Sequence, residues 1–177
     1  MRTKLLPAAG LAVLLAAPVA HAGWNGSVGY LHLSDSGLDL GAIYATVGHR
    51  FELQNGFSFN PEFRAGFGVV DESDTVVFEG VPVNVDLELD WLYGVAARLE
   101  YQTASPLYLF VTPSVTRAKI SASASAQGVS ATLSESGTDF GIGAGVGYMF
   151  TERVGAEVGY ENIDGTDAFT GAVRFRF

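Results

Sequence analysis

His32 and Ser34 are the residues whose types and spacing could support catalysis. Side chains two residues apart on a β-strand share a face, so the histidine could take the serine proton and create a nucleophile. Such a pair would hydrolyse an ester. No acidic partner that would orient the histidine is identifiable, and the alternative is an interfacial histidine beside a loop serine. We therefore expect no catalytic site here.

A set of charged residues alternates with apolar residues along the predicted strands. If these strands close into a narrow barrel, the charged side chains share its interior, where they must pair because an unpaired buried charge is costly. We expect a structural ion-pair network, and a gated ion path is the alternative. The predicted interior set is Arg50, Glu52, Glu62, Arg64, Glu88, Asp90, Arg98, Glu100, Glu157, Glu161, Arg174 and Arg176.

The composition argues against a metal site and against nucleic-acid binding. The chain has no cysteine and three histidines, which disfavours a transition-metal site. The acidic segments 71–74 and 164–167 could hold Ca²⁺ weakly, but solvated loops are expected. The net charge of −9 argues against nucleic acid. We expect no metal and no cofactor.

The N-terminus has the three regions of a secretory signal peptide. Arg2 and Lys4 precede an apolar run from Leu5 to Ala17, and 20–22 reads Ala-His-Ala, a small-residue cleavage site. We predict a signal peptide over 1–22 and one domain over 23–177. Removing the signal takes away two positive charges, so the net charge moves from −9 to −11.

The remaining chain is apolar without a spanning helix. Only 16% of the residues are charged, and no later segment stays apolar for about 20 residues. Backbone in hydrocarbon must bond internally, so a closed barrel is the spanning solution that remains. The sequence therefore predicts an all-β fold, an eight-stranded antiparallel up-and-down transmembrane β-barrel.

Strand and turn signals support that architecture. Short turns at 54–56, 103–106 and 151–152 alternate with longer connections, which places the short turns in the periplasm. The longer segments 71–86 and 120–137 each contain a hairpin signal, Glu79-Gly80 and Gln127-Gly128. The predicted strands are 24–34, 38–53, 57–71, 86–102, 107–120, 138–150, 153–163 and 168–177.

Aromatic residues concentrate near the predicted strand ends, as in the two girdles of an outer-membrane barrel. In the fifth strand, Leu107, Leu109 and Val111 compete with Tyr108 and Phe110 for the lipid face. The predicted membrane-facing aromatics are Trp24, Tyr30, Phe57, Trp91, Tyr93, Tyr101, Phe140, Tyr148, Tyr160, Phe175 and Phe177.

Over residues 23–177 the chain resembles the small outer-membrane barrels of the OmpA/OmpX/Ail type. The resemblance rests on the signal peptide, the amphipathic strands, the loop asymmetry and the terminal Val173-Arg-Phe-Arg-Phe177. It implies that Val173, Phe175 and Phe177 form the assembly signal. The implied biogenesis partners are the barrel-assembly machinery and periplasmic chaperones.

Three functions follow as hypotheses. The first is a non-enzymatic barrel in the bacterial outer membrane that supports the envelope and presents 71–86 and 120–137 for adhesion or an extracellular protein partner. The second is a lipid hydrolase using His32 and Ser34, since the His-x-Ser element resembles that of the outer-membrane lipid A deacylases. The third is a narrow pore.

Overall fold

The computed structural model describes residues 23–35, 38–78, 81–126 and 129–177. The predicted signal peptide lies outside this range. The described residues contain no helix long and apolar enough to cross a membrane. The strands are β1 (Trp24–Asp35), β2 (Leu38–His49), β3 (Phe51–Glu52), β4 (Phe57–Val70), β5 (Glu72–Phe78), β6 (Val81–Gln102), β7 (Leu107–Ala126), β8 (Val129–Met149), β9 (Val154–Ile163) and β10 (Thr166–Arg176).

The wall is one antiparallel sheet in the order β1, β2, β4, β6, β7, β8, β9 and β10. Pairing of β10 with β1, for example Val173 opposite Val28, closes it. The short β3 and β5 are side pieces that pair with β4 and β6. The predicted fold class, an all-β closed barrel of eight antiparallel strands, is confirmed.

The two ends of the barrel differ. Tight turns at 53–56, 103–106 and 150–153 lie at one end, which we call the turn end. In the first of these turns, Asn55 and Gly56 have φ values of 60° and 80°, the left-handed conformation that an Asn-Gly turn provides. The other end, which we call the hairpin end, carries the long hairpins.

Both long hairpins are continuous paired strands, in line with the hairpin signals in 71–86 and 120–137. β5 and β6 remain paired out to Phe78 and Val81, and β7 and β8 out to Ala126 and Val129. The two hairpins therefore extend the sheet beyond the rest of the wall. The turn residues at 79–80 and 127–128 lie outside the described residues.

Alternation of side chains separates two surfaces. Large apolar residues such as Phe63, Val95 and Phe140 are exposed on the outside, while polar side chains fill much of the inside. In β7, Leu109 and Val111 face outwards, whereas Tyr108 and Phe110 are buried inside. The ambiguity left by the sequence is thus resolved in favour of the leucine face.

Glycines in β8 make room for the two inward rings of β7. Gly147 lies opposite Tyr108 and Gly145 opposite Phe110. A Cβ atom at either glycine would overlap the ring of its partner. The narrow interior therefore requires the smallest residue beside each aromatic one, and the ring in turn covers the bare backbone.

Replacing Gly147 with alanine should destabilise the barrel, because the methyl group would collide with a ring that cannot swing aside. We expect the free energy of unfolding to fall by about 1–3 kcal/mol. The measurement is urea unfolding of the barrel refolded in lipid vesicles, followed by tryptophan fluorescence.

The matched control is Gly171→Ala, where the added Cβ atom meets nothing within 4 Å. We expect a change within about 0.5 kcal/mol for this variant. Equal effects of the two substitutions would contradict the packing role of Gly147.

Candidate functional site

Arg174 lies at the centre of a polar layer inside the barrel. Its guanidinium is buried and donates to a carboxylate oxygen of Glu62 and, at 2.6 Å, to Oδ1 of Asn25. A carboxylate oxygen of Glu100 lies 3.5 Å away. One side chain of β10 thereby ties together β1, β4 and β6 across the barrel.

Arg98 forms a second centre in the same layer. Its guanidinium donates to Glu157 at 2.7 Å and forms an ion pair with Glu100 at 2.9 Å, and it lies 3.6 Å from the ring centre of Phe110. The Tyr108 hydroxyl donates to Glu157 at 3.0 Å. The two rings that sequence reasoning left undecided are thus parts of the network, through a hydrogen bond and a cation–π contact.

Ion pairs continue towards both ends of the barrel. On the hairpin side, Arg64 pairs with Glu161 at 2.9 Å. On the turn side, Arg50 and Arg176 approach Glu100 at 3.4 and 3.5 Å. Seven members of the predicted interior set form one connected group, and Arg64 with Glu161 forms a separate pair beside it. The connected members are Arg50, Glu62, Arg98, Glu100, Glu157, Arg174 and Arg176.

The prediction was wrong for Glu88 and Asp90. The register between β6 and β7 shifts between Leu89 and Trp91, which makes Asp90 the extra residue of a β-bulge. The bulge reverses the alternation, so the buried Leu89 faces inwards and Glu88 faces the opposite side. Asp90 pairs with Lys119 at 2.7 Å.

Glu52 lies at the rim of the barrel and is not part of the buried network. Its side chain is 70% exposed and forms an ion pair with Arg50 at 2.7 Å. Glu52 lies opposite the buried Ser58 of β4, which places it on the inner side of the turn end.

An apolar layer closes the interior on the hairpin side. Leu31, Leu40, Leu89 and Leu92 are all buried and pack together above the polar layer. The polar layer itself leaves a cavity of about 30 Å³, room for one or two water molecules. At the turn end, by contrast, a cavity of about 680 Å³ lies beside Arg50 and Arg176.

His32 and Ser34 lie on the outer face near the hairpin end. The structure adds a carboxylate that the sequence did not reveal, because Asp39 lies opposite Ser34 in the pairing of β1 with β2. Its Oδ1 atom is 3.4 Å from Nε2 of His32. Both side chains of this pair are substantially exposed.

The predicted membrane-facing aromatics form bands at the two ends of the outer surface. Trp91 stacks on Tyr93 near the hairpin end, with ring centres 5.3 Å apart. Phe57 packs against Tyr101 near the turn end, with ring centres 4.9 Å apart.

Of the three predicted assembly-signal residues, Val173 is exposed and Phe175 and Phe177 are half-buried.

The sheet that extends from the hairpin end has two different faces. One face carries a ladder of hydroxyl groups, in which Ser121 bonds to Ser134 at 2.9 Å and Ser123 to Thr132 at 3.0 Å. The other face, which we call the inner face because it continues the barrel interior, carries Leu87, Ile120, Ala122 and Leu133 around a cavity of about 400 Å³.

The acidic segments show ordinary hydrogen bonding. Asp167 accepts the Tyr160 hydroxyl at 2.6 Å and the Asn162 amide at 3.0 Å. Within the part of the chain that the structure describes, no group of three His, Asp or Glu residues is placed to hold a metal.

A closed barrel with an apolar outer band, aromatic bands at both ends and a charged interior defines an integral outer-membrane protein. The sequence matches the family of outer membrane protein beta-barrel domains over residues 5–177, and the chain belongs to that family. It is a bacterial outer-membrane protein, and the predicted resemblance to the small OmpA/OmpX/Ail barrels is confirmed. The general rule for such barrels places tight turns in the periplasm and long hairpins outside the cell.

Solved structures of small outer-membrane barrels share the fold. Ail of Yersinia pestis is 18% identical with a TM-score of 0.54, covering 89% of this chain and 100% of Ail. The N-terminal barrel domain of Pseudomonas aeruginosa OprF is 15% identical with a TM-score of 0.55, at 89% and 100%. Neisserial surface protein A is 16% identical with a TM-score of 0.51, at 87% and 96%. No curated protein sequence matches the chain significantly.

Replacing Arg174 with methionine should strongly destabilise the barrel, because it leaves Glu62 buried without its cation. We expect a loss of about 3–5 kcal/mol in the free energy of unfolding. Urea unfolding in lipid vesicles measures it, and the double variant with Glu62→Gln should recover part of the loss.

Arg153→Met is the matched control, because Arg153 is exposed in a tight turn at the turn end. Its unfolding free energy should stay within about 0.5 kcal/mol of the unmodified protein. If Arg174→Met were equally harmless, the interior network would not be structural.

Proposed function

We propose that this protein is a non-enzymatic outer-membrane barrel that supports the envelope and binds an extracellular protein partner through its long hairpins. The observation that carries the proposal is the sheet of β5, β6, β7 and β8 that extends beyond the rest of the wall. Paired strands hold a surface in a fixed shape, as recognition requires, whereas a flexible loop would have to be ordered on binding.

The barrel interior favours a supporting role over conduction. Buried ion pairs fill its middle and leave a cavity of about 30 Å³, and leucine side chains close it towards the outside. A hydrated ion needs a continuous polar route, which an apolar layer interrupts. The barrel therefore acts as a rigid base for the extended sheet.

Relatives with this fold make adhesion a reasonable role. Ail is the attachment invasion locus protein of Yersinia pestis and has been solved in complex with the heparin analogue sucrose octasulfate. We extend only the general role of a surface-binding barrel to the present chain. During biogenesis, the terminal residues Val173, Phe175 and Phe177 would be bound by the barrel-assembly machinery after delivery by periplasmic chaperones.

Shortening both hairpins should abolish adhesion without unfolding the barrel. Ser73 pairs with Asp86 and Lys119 with Ser136, so an Asn-Gly turn can replace 74–85 and 120–135 without changing the register. We expect bacteria displaying the intact protein to adhere to a surface coated with extracellular-matrix protein, and bacteria displaying the shortened protein to lose that adhesion.

The controls are two variants in which only one hairpin is shortened, together with the heat-induced mobility shift of each folded barrel on gels. Unchanged adhesion by a correctly folded, doubly shortened protein would refute the role of the hairpins.

The hydrolase hypothesis has one observation in its favour, the carboxylate of Asp39 beside His32. The proposed non-enzymatic function nevertheless requires that Ser34→Ala leave the outer-membrane lipids unchanged. Mass spectrometry of lipid A from cells that express either form is the measurement, with Ser36→Ala as a matched control. Loss of an acyl chain only in cells with intact Ser34 would replace the present proposal with an enzymatic one.

A further inference from the structure

One edge of the extended sheet has backbone groups available for pairing. β8 pairs with β9 only from Gly141, which lies opposite Ile163, towards the turn end. Within the described residues, no strand pairs with 129–139 on the side away from β7. Exposed strand edges of this kind are sites at which another strand can be added.

The orientation of the free groups follows from one hydrogen bond. The carbonyl of Phe140 accepts the N–H of Asp164 on the β9 side. Because each residue of a strand points its N–H and C=O to one side and the next residue points them to the other, Ser134, Ser136 and Thr138 present theirs on the same side as Phe140. The edge can therefore pair in register with an added strand.

The inner face beside this edge is apolar and acidic. Leu133 is 73% exposed there, although its neighbours across the sheet are apolar. Glu135 and Asp139 line the same cavity of about 400 Å³, and its lining contains no lysine or arginine. Both carboxylates belong to β8, so they would flank the side chains of an added strand.

The outer face of the same edge has a different character. Arg117 lies there and donates to the hydroxyl of Ser136 at 3.3 Å, and Lys119 is paired with Asp90. The two faces of the edge would therefore select different side chains, and positive charge is favoured on the inner face alone.

We propose that the free edge of β8 captures an extended segment of the extracellular partner whose inward side chains alternate between basic and apolar. This inference rests on the proposed binding function and specifies its ligand. The added strand would satisfy the free backbone groups of β8, and its basic side chains would lie beside Glu135 and Asp139.

Register on β8 gives the order of the inward side chains. An antiparallel strand would place successive alternate residues opposite Asp139, Gly137, Glu135 and Leu133. Gly137 has open space above it, where a Cβ atom would meet only the carboxylate of Asp139, so a large ring fits at that position. The recognised pattern is basic, aromatic, basic and apolar at every second residue.

The capped peptide KTYTKTV carries this pattern and serves as the probe. Fluorescence anisotropy of the labelled peptide is measured with the whole barrel in lipid nanodiscs. We expect binding that weakens at least about five-fold between about 50 and about 500 mM salt, because Glu135 is exposed and Asp139 is only half-buried. The isomer KKYVTTT, with its alternation destroyed, and the acidic peptide ETYTETV should bind at least about ten-fold more weakly.

Three protein variants separate edge pairing from charge attraction. Ser134→Pro removes an N–H that points away from β7, so the sheet should persist while peptide affinity falls at least about ten-fold. Ser134→Ala keeps that N–H and should bind as the unmodified protein does. The double variant Glu135→Gln with Asp139→Asn should still bind, about five-fold more weakly, and with less salt dependence.

Equal binding of the scrambled peptide, full affinity of Ser134→Pro, or no binding of KTYTKTV to the intact protein would each overturn the inference. Dimers of the barrel that Ser134→Pro abolishes would also overturn it, because the edge would then pair with a second copy. If shortening the hairpins abolishes adhesion but Ser134→Pro does not, the proposed function stands and the β8 edge is not its site.

Discussion

Inside hydrocarbon, a backbone N–H or C=O group has no water with which to bond. The strands of the barrel wall meet this constraint by pairing with one another in a closed sheet. A sheet satisfies all of its groups only if its two edges meet, and here β10 meets β1 along most of their lengths. Beyond the bilayer the constraint no longer applies. Water can satisfy an unpaired edge there, which is why β8 can continue outwards without a neighbour on one side.

Closure with eight strands also limits what the interior can hold. The space is narrow, so an aromatic ring on β7 needs a glycine on β8, and each charged side chain must be bonded by several neighbours. Arg174 and Arg98 meet this demand by sharing Glu100 and Glu157. These ion pairs connect strands that are far apart in sequence, such as β4 and β10.

Much of this architecture could be predicted from the sequence because alternation along a strand is a local property. Glu62 and Arg174 are 112 positions apart in the sequence, yet the parity of each strand was enough to place both inside. Glu88 and Asp90 were misplaced because a β-bulge inserts one residue and reverses parity, and its position depends on the partner strand.

The carboxylate beside His32 was missed for a related reason. Asp39 becomes a neighbour of that histidine only through the register between β1 and β2, which the sequence prediction did not determine. In β7, both faces are apolar, so alternation alone could not assign them. The glycines across from Tyr108 and Phe110 were the available clue, since a ring needs a small neighbour in a narrow space.

The leucine layer divides the protein into compartments with different access to solvent. Arg50 and Arg176 border a cavity at the turn end, whereas Leu31 and Leu89 separate the ion pairs from the solution at the hairpin end. Protons, salts and denaturants should therefore reach the buried carboxylates from one aqueous phase. We expect the electrostatics of the barrel to respond to the solution at the turn end and to be shielded from the solution at the hairpin end.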